Sequence, residues 1–270
     1  MLIPLILLAA LYFIFKDSSE RMKKTVVLAI ALVNAAQHLL KPYIYPQYKG
    51  FGFGAICTPY NMCALLILIS PIILLVGSEL WRNFLFYIGS IAGYSSILVT
   101  YWLLSPMEEQ IRFVICHGLL FISSFLPLLL GIFKVNYRKA YKLPIVFFIC
   151  IIILIITNII NFTMGIAGET GNMSLYDFLM RENPCWSMHA PWGYSFVEDI
   201  VSPFTPSAFL ESKGGVDTPV MWYFFPMWIL ITVVGLILGA FLDRKRFLSD
   251  MKKAKQKILK IFAKDKQDVS

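Results

Sequence analysis

Long apolar runs separated by short polar interruptions dominate this chain. Cut at Pro, Gly and charge clusters, it gives seven apolar segments, at about 1–16, 25–42, 56–77, 81–104, 111–133, 143–164 and 221–242. None shows the strict apolar–polar alternation of a half-buried strand, so each predicts a helix and argues against a membrane barrel. A hydrocarbon core about 30 Å thick needs about 20 helical residues. Five segments reach that length, and the first two need flanking polar residues to complete the crossing.

Composition turns the pattern into an environment. Of 270 residues, 58% are apolar and 15% charged, and mean hydropathy is +0.71. A soluble chain cannot hide that much apolar surface beneath a polar exterior. The expectation is a multi-pass protein of the cell membrane.

The net charge of +8 is not spread over a face: ten of the 24 Lys and Arg lie between Arg244 and Lys266. Such clustering is a topology signal, and no nucleic-acid partner is expected. With the N-terminus outside and the C-terminus cytoplasmic, 19 of the 24 positive charges fall inside. They include Lys16, Arg21, Lys23 and Lys24, then Arg82, then Lys134, Arg138, Lys139 and Lys142. The opposite orientation would put a four-charge cluster outside. The predicted fold is all-α, a seven-transmembrane-helix bundle over 1–242 with a long outer loop at about 165–220, followed by a basic cytoplasmic tail at 243–270.

Trp81, Tyr101, Trp102, Trp222 and Tyr223 stand near segment ends, where amphipathic rings favour the membrane interface. In the tail, Phe247, Met251, Ala254, Ile258 and Phe262 recur at helical spacing among lysines. This fits an amphipathic helix on anionic inner-leaflet lipids, or equally a solvated basic anchor. The outer loop is acidic, rich in Pro, Gly and Trp, and holds Cys185 and His189. Its length suits a lid or vestibule better than a connector.

Polar side chains at membrane depth are costly and mark function by default. At about 1.5 Å of rise per residue, Cys63 lies about 10 Å and His117 about 9 Å below the outer face, on different helices. Asn34, Gln37 and His38 lie near the outer end of the second segment, and Asn61 stands beside Cys63. Asn158 and Asn161 share one side of the sixth segment, with Thr157 nearby. Tyr94, Ser95 and Ser96 can line a wall. The inner halves of these segments are almost purely Ile, Leu, Val and Phe, so the polar groups point to an outward-facing cavity.

A thiol beside an imidazole can form a thiolate that attacks esters and carries an acyl group covalently. Cys63 is then the nucleophile and His117 the general base. Asn61, Asn158 and Asn161 orient the ring or donate to a developing oxyanion, with His38 and Tyr94 lining the substrate path. The plainer readings are an inert packing thiol and an imidazole bonded to a backbone carbonyl. Cys57, Cys116 and Cys150 take the inert reading, and Glu108 with Arg112 reads as a helix ion pair. No metal or soluble cofactor is expected.

Several motifs stand in order over about 56–180. They are Thr58-Pro59-Tyr60-Asn61-Met62-Cys63, then Tyr87 to Gly93, then Ser105-Pro106. Arg112-Phe113-Val114-Ile115-Cys116-His117-Gly118 follows, with Asn161-Phe162-Thr163-Met164-Gly165 and Ser174-Leu175-Tyr176-Asp177-Phe178-Leu179 beyond it. Together they resemble the YwaF-like bacterial integral membrane proteins, with Asn61 standing where that family has a His. That family is similar to animal transmembrane cysteine acyltransferases that move acyl chains onto ether phospholipids. The resemblance implies Cys63 and His117 as the working pair and membrane phospholipids as substrates. The alternative is a non-enzymatic small-molecule transporter or lipid-binding protein that uses the same cavity to hold a ligand.

Overall fold

The computed structural model describes residues 2–45, 58, 59, 61–100, 107–164, 173–182, 188, 199–213, 216–222 and 227–268. Cys57, Tyr60, Tyr101, Trp102, Ser105, Pro106, Gly165, Cys185, His189 and Tyr223 lie outside the described residues.

Each apolar segment contains a helix, with bounds set by local chemistry. Helix α1 (Ile3–Phe15) opens with Pro4, whose missing N–H costs nothing in a first turn. Helix α2 (Glu20–Leu39) begins five residues earlier than the apolar run predicts, because Ser19 caps it by accepting from the Met22 N–H at 3.3 Å. A short α3 (Lys41–Ile44) follows.

Asn61 caps α4 (Met62–Val76), its Oδ1 accepting from the Ala64 N–H at 3.0 Å. The fourth segment is one helical run: α5 (Glu79–Phe84), a π turn (Leu85–Gly89) and α6 (Ser90–Thr100). Helix α7 spans Met107–Leu129, and a 3-10 turn (Tyr137–Lys142) leads into α8 (Leu143–Thr163).

The last segment, predicted over 221–242, is helical as α10 over Trp228–Leu242, with 223–226 outside the described residues. Trp222 lies in the turn before it, buried, with its indole N–H donating to the Pro219 carbonyl at 3.2 Å. It is therefore a packed residue. The tail is a helix, α11 (Arg244–Asp268), with Leu248, Met251 and Ile258 about half exposed.

The segment between α8 and α10 is structured in its described parts. Helix α9 (Leu175–Glu182) starts where the Ser174 hydroxyl accepts from the Asp177 N–H at 3.1 Å and donates to its carboxylate at 2.6 Å. Phe178 is buried against Phe162 at the end of α8, with ring centroids 5.1 Å apart. An antiparallel hairpin, β1 (Leu210–Lys213) with β2 (Val216–Pro219), pairs Leu210 with Pro219 and Lys213 with Val216. This small sheet is an addition to the helical fold that the apolar pattern predicts.

Helix α7 occupies the centre, packed against α6, α2, α1 and α4. One core joins α4, the π turn, α7 and α8 around Leu66, Phe84, Leu120 and Leu154; a second joins α1, α2 and α7 around Leu8, Val27 and Ile122. Two helical stretches, Met107–Leu129 and Tyr137–Thr163, are long and apolar enough to cross a membrane. Three shorter apolar helices accompany them: α1, α4 and α10. Large apolar side chains also face outward, among them Ile6 at 65% exposure, Ile237 at 64% and Phe241 at 79%.

Candidate functional site

Helix α6 brings the two sides of the site together. A Cβ on Gly93 would lie 2.8 Å from the Phe121 nitrogen and 2.9 Å from the His117 carbonyl oxygen. Only a glycine lets the α6 and α7 backbones approach this closely. Three residues on, Ser96 Oγ lies 3.8 Å from Cys63 Sγ on α4. Positions three apart share a helix face, so the Cys63 thiol and the His117 backbone meet the same turn of α6, about 4.5 Å apart along its axis.

The His117 ring is fixed by its own helix. Nδ1 sits 3.0 Å from the Phe113 carbonyl oxygen, and the Phe113 ring stacks over the imidazole at 3.9 Å between centroids. A carbonyl only accepts, so Nδ1 carries the proton and Nε2 is the basic nitrogen. Among the described residues no hydrogen bond joins Cys63 to His117.

The sulfur nearest the ring belongs to Cys116. Its Sγ is 3.1 Å from His117 Nδ1, 3.4 Å from the Phe113 carbonyl oxygen and 3.8 Å from an Arg112 guanidinium nitrogen. This thiol has polar neighbours that the inert-packing expectation did not include. The contact is still no activated dyad. The ring nitrogen facing Cys116 already holds a proton, and a thiol proton can move only to a lone pair.

The other polar residues divide by helix pair. On α2, buried Asn34 donates to the Cys116 carbonyl at 2.9 Å and accepts from the Gln37 amide at 2.6 Å; Gln37 in turn accepts from the Tyr45 hydroxyl at 2.9 Å. His38 is buried one position on. On α8, Asn161 donates to Thr58 Oγ1 at 3.0 Å, which ties two stretches of the resemblance together, and Asn158 donates to the Leu154 carbonyl at 2.8 Å. Asn161 Oδ1 is buried with no hydrogen-bond partner among the described residues. Tyr94 packs its ring on Phe121, 5.1 Å between centroids. Asn61 is exposed and spends its Oδ1 on the α4 cap.

Arg112 pairs with Glu109 and not with Glu108 as predicted: its Nε donates at 2.8 Å, and a second nitrogen completes the fork. Both partners are largely buried, at 12% and 17% side-chain exposure. A planar guanidinium needs a carboxylate that presents both oxygens, and here the position three back does so.

The opposite end of the bundle is charged. Asp250 on α11 accepts a fork from Arg138, Nε at 2.7 Å and a terminal nitrogen at 2.5 Å, and also accepts the Tyr137 hydroxyl. The Phe247 ring meets Tyr137 edge-on, 5.5 Å between centroids. Arg138 and then Tyr137 hold the Asp250 carboxyl down at about 2. These contacts dock the tail on the 3-10 turn, and sequence patterning missed them because their partners lie more than a hundred positions apart. No family model, curated protein or solved structure matches this chain.

Proposed function

We propose that this chain is a seven-pass protein of the cell membrane, N-terminus outside and C-terminus cytoplasmic, that transfers or hydrolyses the acyl group of a membrane phospholipid through Cys63 and His117. The two long apolar helices and the outward-facing apolar side chains support membrane residence. The clustering of positive charge supports the orientation. The YwaF-like resemblance belongs to the same proposal.

One observation carries the chemistry. The Cys63 thiol and the His117 backbone meet a single turn of α6, and the Phe113 carbonyl commits His117 Nδ1 and leaves Nε2 to accept a proton. In the proposed sequence, Nε2 takes the Cys63 proton as the sulfur attacks the ester carbonyl. The lysolipid oxygen leaves with that proton. A hydroxyl acceptor, or water, then cleaves the thioester and returns the proton to the thiol.

The test is labelling in lipid nanodiscs with a lipid-like thioester probe, the modified residue being mapped by mass spectrometry. Label is expected at Cys63 and should fall by at least about 100-fold in His117→Ala, as for loss of a general base. Cys116→Ala should keep the label. Equal labelling of every cysteine, or label at Cys63 indifferent to His117, would remove the catalytic reading.

A ligand-binding, non-enzymatic reading has its own support. The Cys63 thiol faces a serine hydroxyl, and Asn161 Oδ1 is a buried acceptor with no described donor. On that reading Cys63→Ala keeps function and Asn161→Leu loses it.

A further inference from the structure

The charged end of the bundle contains a cavity that the acyl-transfer reading does not use. It encloses about 660 Å³ between the start of α2, the end of α4, the start of α5 and the end of α7. That volume suits a small amphiphile's head and the first part of its tail. Its wall is mixed, with Leu28, Leu74, Pro127 and Phe133 among its apolar residues and Arg21, Lys24 and Arg82 as its cationic ones.

The charges do not cancel. Glu20, the one carboxylate at the wall, is engaged by Lys24 at 3.3 Å. Arg21 and Arg82 have no ion-pair partner among the described residues. A guanidinium beside apolar side chains lacks a counterion there, and a phosphate oxygen is the acceptor its planar fork fits best. An ammonium head group would instead be repelled by Arg21 and Lys24.

We propose that this cavity binds one anionic phospholipid, its phosphate on Arg82 and Arg21 and the root of an acyl chain on Leu74 and Phe133. The inference rests on the membrane reading, and it places the lipid in the cytoplasmic leaflet, away from Cys63 and His117. The site is assembled from four helices and is separate from the basic tail.

Native mass spectrometry of the full chain tests it. The protein is released from detergent carrying phosphatidylglycerol and phosphatidylcholine with identical acyl chains. The expected result is one retained phosphatidylglycerol in preference to phosphatidylcholine. Arg82→Gln should lower that retention by about tenfold, the scale of a charge-assisted hydrogen bond. Arg21→Gln, at an exposed position where folding is not at stake, should lower it by about threefold. A double Lys252→Gln, Lys253→Gln change in the tail should leave it unchanged.

Equal retention of the two lipids, or full retention in both arginine variants, would overturn the proposal. So would displacement of the lipid by millimolar inorganic phosphate, which would mark a free-anion site. The readout involves neither sidedness nor Cys63, so failure of the proposed orientation or of acyl transfer would be seen separately.

Discussion

At the end of the bundle that carries His117, most buried polar groups are neutral and bond to backbone carbonyls: Asn34 to Cys116, Asn158 to Leu154, His117 to Phe113. At the end that carries Arg82, ions are more numerous, and several of them bond to one another: Arg138 to Asp250, Lys24 to Glu20, Arg246 to Asp243. A neutral donor in an apolar setting is satisfied by one good acceptor, and backbone carbonyls on the same or a neighbouring helix supply it. An ion needs a counterion or solvent, so it stays where both can reach. The neutral end should therefore be intolerant of shape changes, and the charged end of charge changes.

The largest effect is expected at Gly93. The atoms a Cβ would meet are backbone, and backbone cannot turn aside. Gly93→Val should cost about 2–3 kcal/mol or prevent folding, read by thermal unfolding in detergent. A melt like that of the wild type would mean that α6 and α7 do not cross where described. Next comes Asn34→Leu, which leaves the Cys116 carbonyl and the Gln37 amide without their partner. About 1 kcal/mol should be lost in the same assay.

At the charged end, Asp250→Asn should release the tail without unfolding the bundle. Spin labels at exposed Tyr141 and Leu248 would report a broadened distance distribution. The acid dependence has a definite sign. Because the docked carboxyl sits below its ordinary value, at about 2, its contribution is fully present above the ordinary carboxylate range. It fades as pH falls through about 2, so the label distance should hold at pH 5 and be lost only in strong acid. A change centred between pH 6 and 8 would assign the docking to some other group. The smallest effect belongs to Glu108→Gln, which should cost nothing measurable in the same melt, because Glu109 is the residue that holds the largely buried Arg112 guanidinium.

The apolar runs made the helices legible because burial and helix length follow directly from composition. Their ends were less so. The start of α2 at Glu20 is set by the Ser19 cap inside a charge cluster, where hydropathy is blind. Asn61 preceded an apolar run, a cap signal in plain view, and was read instead as part of the cavity. The hairpin at 210–219 carried its own mark, Gly214-Gly215 between two short polar strands, which is the shortest hairpin turn signal.

Depth along a helix placed Cys63 and His117 at one level, and that arithmetic needs only the helical rise. Azimuth needs the packing. Ser96, the neighbour of Cys63, follows from how α4 and α6 face, which no spacing within one segment reveals, whereas Phe113 stands four positions before His117 on the same helix and was within reach of spacing. The Arg82 cavity was invisible for a related reason: its wall draws on four helices whose residues are scattered between 20 and 133.

The π turn at Leu85–Gly89 bears on all of this. A turn closed by i→i+5 bonds holds one residue more than an α turn, so the helix beyond it is out of phase with the helix before it by about 100°. The phase step aims Gly93 at α7 and Ser96 at Cys63, while Trp81 and Arg82 keep the bearing of the first half. Were the run to close as a continuous α-helix with every residue retained, everything downstream would swing to a different compass point. The protein would keep its length, its apolar character and every residue discussed here, yet lose the alignment between its two ends.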